Sequence, residues 1–310
     1  MRIFTRGDLD GFACSVLVTT MEQVREIKFV HPKDAQDGRF EATAEDILVN
    51  LPYVKGCGLW FDHHISEEKK LKDIKGFKGA YAVAPSAARV VYNYYRSPRP
   101  DGRGSPPEGA AKLDVYKDML LDIDRFDSAN LTTEDVVDPK GWVLLGYTLD
   151  PRSGLGPEFQ KYFRWLVEYV KEVPLDKVLE HREVKKRIDK LRAEQAEFTK
   201  ILKEHAKQDG TVVLTDLRHL NNVPTGNRFL VYTMFPTANA EVRVFWGKAK
   251  QNVVIACGHS IFNRTCNVNI GRMLSEYGGG GHTGAGTCQV PVEKSEETIK
   301  EIINRLKENT

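Results

Sequence analysis

Along the first 150 positions, short apolar runs alternate with stretches of helix length. Met1–Thr5 is a β-prone run that stops at Arg6-Gly7-Asp8, and Gly11–Val24 reads as a helix. Ile27–Val30, Glu45–Asn50 and Gly58–Phe61 predict three further strands, closed by His31-Pro32, by Pro52 and by Asp62-His63-His64. Alternation of this kind predicts βαβ units and a mainly parallel sheet flanked by helices. Ligands of such sheets sit at the carboxyl ends of the strands, which is where the polar clusters of this sequence fall.

Beyond this region, Arg96–Gly109 is rich in Pro and Gly and predicts an exposed loop. Lys112–Asp124 predicts a helix running into the acidic string Asp122, Asp124, Asp127, and Glu158–Val173 predicts another that ends at Pro174. Lys177–Gln208 is amphipathic, with Val178, Val184, Ile188, Leu191, Phe198 and Ile201 as its apolar stripe. Its ten Lys/Arg against six Asp/Glu suit a solvated connecting helix, with a phosphate-contacting surface as the second reading. The stripe also suits a homodimer. After Gly210 the pattern turns β-rich: Thr211–Asp216, Phe229–Phe235, Val242–Trp246 and Asn252–Gly258 predict strands, and Val268–Glu276 and Glu296–Lys307 predict helices. The expected architecture is α/β: a parallel-sheet domain over 1–155, a helical connector over 156–209, and a smaller α+β domain over 210–310.

Composition narrows the function classes. Lys+Arg 45 against Asp+Glu 43 gives a net charge of +2, which is not the broad basic surface of a processive exonuclease on long DNA. An anionic substrate must be met by a local site. No apolar run approaches the roughly 20 residues of a membrane span, and the apolar N-terminal run is too short for a signal peptide's core. The five cysteines are odd in number and form no C-x-x-C pair, so neither a disulfide framework nor a structural zinc site is expected. These features together predict a cytoplasmic protein with no membrane partner.

The candidate chemistry begins with Asp8-Leu9-Asp10-Gly11, Asp62-His63-His64 and Asp122/Asp124/Asp127. Carboxylates joined by imidazoles suit Mn²⁺, or Mg²⁺. The bland alternatives are that an Asp before a helix caps it and that a His pair is a hydrogen-bonded core element. A second cluster is Gly278–Gly281 followed by His282, with Asn263-Arg264 upstream. Four consecutive glycines are costly for a mere turn, and their N–H groups could surround an anion. Arg264 and His282 could add donors to a phosphate.

GDLDG, then DHH, an acidic motif near 124, a long helical stretch and a terminal GGGGH together resemble the DHH phosphoesterase superfamily with its associated C-terminal domain, over essentially the whole chain. NLPYVKGCGLWFDHH, from Asn50, is similar to a branch labelled exopolyphosphatase-related. The resemblance implies Asp8 as a ligand of a first metal, Asp10, His63 and Asp124 as ligands of a second, and His64 on the scissile phosphate. It implies Asp62 as the orienting partner of the His pair, and Arg264, Gly280, Gly281 and His282 on the substrate's far phosphate. Asp122 and Asp127 compete with Asp124, which is favoured because an apolar residue, Phe126, stands two positions on.

The sequence departs from the family pattern twice. The His usual shortly before the first Asp is missing, with Phe4 and Arg6 at the candidate positions, and Asn50 stands where a bridging Asp is usual. One well-formed metal site and a second weak or absent one are therefore expected, and Arg6 could supply fixed positive charge to a phosphoryl oxygen. Pairing of Arg6 with a carboxylate is the competing reading. The implied function is metal-dependent hydrolysis of a terminal phosphoester or phosphoanhydride on a small linear substrate: a short oligonucleotide, nucleotide bisphosphate or polyphosphate. The alternative is a phosphate-binding or regulatory protein that has lost catalysis.

Overall fold

A computed structural model describes the chain apart from Lys69, Asp73, Lys75 and residues 99–105, 152–153, 221–225 and 309–310, so the middle of the expected Arg96–Gly109 loop lies outside the described residues. The chain forms two compact units. The first comprises Met1–Asn130 and Lys140–Ile188, the second Leu131–Pro139 and Asp189–Thr310. The structure thus divides the chain elsewhere than at 155 and 209, for a packing reason. The Pro157–Glu172 helix belongs to the first unit, where Phe163 meets Phe12 and Phe29 edge-on at 5.7 and 4.8 Å.

In the first unit β1 (Arg2–Thr5), β2 (Glu26–Phe29), β3 (Asp46–Val49), β4 (Leu59–Asp62) and β5 (Gly79–Tyr81) form one sheet in the order β2-β1-β3-β4-β5. Every neighbouring pair is parallel. A parallel sheet buries both faces, and here the two are covered differently. Helices Leu9–Met21, Ala87–Arg96 and Pro157–Glu172 lie on the face that carries Ile3, Val49 and Phe61. On the other, Phe4, Leu48 and Trp60 meet aromatic side chains from loops, Phe40, Tyr53 and Phe77 among them. The three-residue β5 is a strand that the pattern does not predict, because Gly-Ala-Tyr is too short to show a period.

One buried charge pins β1 to the start of β3. Asp46, fully buried, accepts from Arg2 Nε at 2.7 Å and Arg2 Nη2 at 2.9 Å, and from the Thr43 N–H at 2.7 Å and its hydroxyl at 2.9 Å. Burial alone would raise this carboxyl, but these donors outweigh it and hold it below the usual carboxylate range.

In the second unit β6 (Ala206–Asp209), β7 (Val212–Asp216), β8 (Ala240–Trp246), β9 (Val253–His259), β10 (Gly280–His282) and β11 (Ala285–Val290) are ordered β10-β11-β9-β8-β7-β6. All pairs are antiparallel except β7–β8. The Ser295–Glu308 helix closes the core through Ile299, Ile302 and Leu306. Two expectations are corrected. The run 229–235 is not a strand but holds the Leu230–Met234 helix; Leu230, Val231 and Tyr232 are all buried, so the run lacks the alternation of a half-exposed strand. The amphipathic stretch leaves the helix at His205, and Ala206–Asp209 pairs with β7. Of its apolar stripe, Val178, Val184, Ile188 and Phe198 are buried by the chain itself and Leu191 and Ile201 are half-buried.

Asp46→Ala should cost about 2–3 kcal/mol, since it strands Arg2 and the Thr43 donors, measurable by urea denaturation at pH 7. The sign with pH follows from the lowered carboxyl. Its contribution is complete above the unfolded-state value of about 3.9 and is lost as pH falls through the lower folded-state value. The wild-type advantage over Asp46→Ala should therefore shrink only below about pH 4.

Candidate active site

Because β1, β3, β4 and β5 are parallel, the loops that leave them all emerge at one edge. The loop after β1 carries Arg6 and Asp8, with Asp10 in the first turn of the Leu9–Met21 helix that follows; the loop after β3 carries Asn50, β4 ends in Asp62 followed by His63 and His64, and the loop after β5 carries Ala84 and Ser86. The turn from β1 into the Leu9–Met21 helix is so tight that a Cβ at Gly11 would lie 2.1 Å from the Arg6 carbonyl oxygen, which is why glycine follows Asp10.

Asp10 is buried and held by the N-terminus of the Ala87–Arg96 helix: its two carboxylate oxygens accept from the Ala87 and Ala88 N–H groups, both at 2.8 Å. His63 lies beside it. Its Nδ1 is 2.9 Å from the Ala84 carbonyl oxygen, which can only accept, so Nδ1 carries a proton and Nε2 is the nitrogen turned toward Asp10. That Nε2 is buried without a hydrogen-bond partner, 3.7 Å from Asp10 Oδ2 and 3.3 Å from Asp127 Oδ2. Desolvation raises the Asp10 carboxyl, with Asp8 adding to it and His63 opposing. Desolvation together with the charges of Asp10 and Asp8 pushes Asp127 well above the usual carboxylate range. Asp127 retains 27% side-chain exposure.

Asp62 and His64 form the next pair. His64 Nδ1 lies 2.7 Å from Asp62 Oδ1, and the Tyr81 hydroxyl donates to the His64 carbonyl at 3.0 Å. Burial works against protonation of His64, yet the hydrogen bond and charge of Asp62 prevail and raise its pKa. Asp62 thus orients His64 alone of the His pair, while Ala84 orients His63. Asp62 Oδ2 is buried without a partner.

Asp124 does not stand where it was expected. Arg89 donates to its Oδ2 from Nε at 2.9 Å and Nη2 at 2.6 Å, and the Ser86 hydroxyl donates to its Oδ1 at 2.6 Å. Beside His63 stands Asp127 instead, last residue of the Lys117–Asp127 helix, with a carboxylate oxygen within 4.8 Å of the ligand atoms of Asp10 and His63. Asp8 caps the Leu9–Met21 helix through Gly11 N at 2.9 Å, accepts from Asn50 Nδ2 at 3.0 Å and pairs with Arg6 Nε at 3.0 Å.

In the second unit, Gly280–His282 is an edge strand and not an anion-cradling loop. Several glycines here serve packing: a Cβ at Gly271 would come within 2.4 Å of the Gly281 oxygen, and one at Gly281 within 2.3 Å of the Ala285 oxygen. Gly280 differs, for a Cβ there would meet nothing within 4 Å. His282 is exposed, as is Arg264, whose Nε donates to the Ile261 carbonyl at 3.0 Å.

Neither a scan against protein-family models nor a search of the curated proteins returns a match. Among solved structures, a pGpG-specific phosphodiesterase, PggH from Vibrio cholerae, is 35% identical, with a TM-score of 0.85 over 100% of this chain and 99% of its own. The chain belongs to the DHH phosphoesterase superfamily. An exopolyphosphatase-related protein from Bacteroides fragilis (9% identity, TM-score 0.51, covering 99% of this chain and 92% of that one) shares the fold. So does RecJ from Thermus thermophilus in complex with Mn²⁺ (14%, 0.51), with 97% of this chain matched to 51% of that one.

As a DHH phosphoesterase the protein is a metal-dependent hydrolase, and its own atoms fit a cation in one place. A buried imidazole nitrogen crowded by two carboxylates calls for positive charge among them, as a proton or as a cation, and N and O donors of this kind suit Mn²⁺ or Mg²⁺. Ligand atoms of Asp10, His63 and Asp127 lie within 4.8 Å of one another, as do those of Asp62, His63 and His64. No helix among the described residues is long and apolar enough to cross a membrane.

Asp127→Ala should weaken Mn²⁺ binding by more than about 100-fold in calorimetric titration, beyond the roughly 10–100-fold lost when only a ligand's hydrogen-bond partner is removed. Asp124→Ala should fall within that smaller range and lower the melting temperature, because it frees Arg89 and Ser86. The reverse ranking would return the ligand role to Asp124.

Proposed function

We propose that this DHH phosphoesterase hydrolyses a linear dinucleotide of the pGpG kind to two mononucleotides, using Mn²⁺ or Mg²⁺ held by Asp10, His63 and Asp127. The observation that carries this reading is the full-length, 35%-identical likeness to the pGpG-specific enzyme. In the reaction water adds to phosphorus, the bond from phosphorus to the 3′ oxygen breaks, and that oxygen leaves with a proton, so pGpG and water give two GMP. The cation supplies Lewis acidity toward water and phosphoryl oxygens. His64, held by Asp62 and raised toward its cationic form, is assigned the contact with the scissile phosphate, as a donor to its oxygen.

Ala87 and Ala88 hold the Asp10 carboxylate in place, and Ala84 keeps His63 Nε2 turned toward it. To Arg264, Gly280, Gly281 and His282 of the second unit we assign phosphate binding. Gly280 supports this assignment, since neither packing nor a left-handed φ demands glycine there. The small net charge of +2 favours a short substrate.

The test is nucleotide and phosphate release with Mn²⁺ titrated in, over pGpG, di- to pentanucleotides, adenosine 3′,5′-bisphosphate and polyphosphate. GMP release from pGpG should saturate with metal and fall more than about 100-fold in Asp10→Ala/His63→Ala. Turnover confined to polyphosphate or to the bisphosphate would replace the substrate named here. Gly280→Ala should leave the melting temperature unchanged and raise KM for pGpG about tenfold, the effect of ~1.4 kcal/mol of lost contact.

A further inference from the structure

The half of the site around Asp8 does not suit a second cation. Asp8 Oδ1 already accepts two hydrogen bonds, from Gly11 N at 2.9 Å and Asn50 Nδ2 at 3.0 Å, and its Oδ2 is paired with Arg6 at 3.0 Å. The orientation of the Asn50 amide follows from chemistry: an ionised carboxylate only accepts, so the NH₂ must face it. Asn50 is held this way in the left-handed region, φ 54, a conformation that asparagine tolerates better than other side chains with a Cβ. A divalent ion on Asp8 would have to displace a guanidinium and meet the hydrogens of an amide.

Arg6 is itself placed to act. Its Nε lies 3.0 Å from Asp8 Oδ2, its side chain keeps 44% exposure, and its charge lowers the proton affinity of both His64 and Asp127. Planar guanidinium N–H groups match the geometry of phosphate oxygens, and the charge is permanent.

We infer that Arg6 is the built-in second positive charge of this site: the enzyme works with one divalent cation, and Arg6 binds a non-bridging oxygen of the phosphate that is hydrolysed. Asn50 and Asp8 hold Arg6 there and keep a second ion out. The assignment deepens the phosphodiesterase reading but depends on it only for the identity of the substrate.

The test counts ions and measures phosphate affinity on the full chain, apart from turnover. Elemental analysis and electron paramagnetic resonance of the Mn²⁺-loaded, desalted wild type should give one ion per chain with an uncoupled six-line signal. Arg6→Gln should still hold one ion but bind GMP and inorganic phosphate about tenfold or more weakly, with partial rescue in Arg6→Lys. Arg6→Gln/Asn50→Asp sets two carboxylates side by side without the guanidinium and should take up a second ion, giving a spin-coupled signal. Two ions in the wild type, or unchanged GMP affinity in Arg6→Gln, overturns the inference. A double variant that keeps one ion overturns the part given to Asn50 and Arg6 in exclusion. Should pGpG resist hydrolysis while these results hold, the substrate assignment fails and the role of Arg6 stands.

Discussion

Negative charge gathered at one edge of a parallel sheet is the constraint around which the first unit is built. Asp8, Asp10, Asp62 and Asp127 converge there, and carboxylates that close in a poorly solvated place repel one another and resist ionisation. The chain offsets most of this charge itself. Backbone N–H groups at two helix starts serve Asp8 and Asp10, Arg6 pairs with Asp8, and His64 pairs with Asp62. What it leaves unbalanced is the set Asp10, His63 and Asp127, in which a buried imidazole nitrogen has no partner. The call for positive charge there, as a proton or as a cation, is local to these side chains.

The surroundings are arranged to keep that imbalance rigid. Ser86 caps the Ala87–Arg96 helix through the Arg89 N–H, and its hydroxyl also donates to Asp124. Arg89, one turn on, holds the other oxygen of Asp124. The helix whose first N–H groups fix Asp10 is thereby tied to the helix that ends in Asp127. Asp124 makes that tie through three well-formed hydrogen bonds. Beneath the site, Trp60 stacks on Tyr81 at 5.8 Å, and Tyr81 anchors the carbonyl of His64, so the aromatic face of the sheet supports the chemistry on its edge.

The glycine-rich segment of the second unit combines two demands in one short run. Gly279, Gly281 and Gly286 sit where any side chain would strike backbone, and Gly278 has a left-handed φ of 74°. At Gly280 and Gly284 neither packing nor a left-handed φ accounts for the residue. A motif that reads as a single signal in sequence is therefore divided, position by position, between glycines that the fold requires and glycines that it does not.

The sequence determined the elements whose cause is local. Apolar runs of four or five residues ending in GDLDG and DHH fixed β1 and β4 and placed polar clusters at their ends; the strand–helix alternation fixed the parallel sheet. The tertiary structure alone decided what depends on partners distant in the chain. Asp124 and Asp127 stand three residues apart on one helix, and only Arg89 and Ser86, from another part of the chain, give them different surroundings. The 229–235 run is apolar enough for strand or helix, and burial on all sides settled it as a helix. β5 exists because β4 offers it a backbone to pair with, which three residues of Gly, Ala and Tyr cannot reveal. Periodicity and charge are written along the chain, whereas a ligand position is a matter of which lone pairs are left over after every neighbour has taken its share.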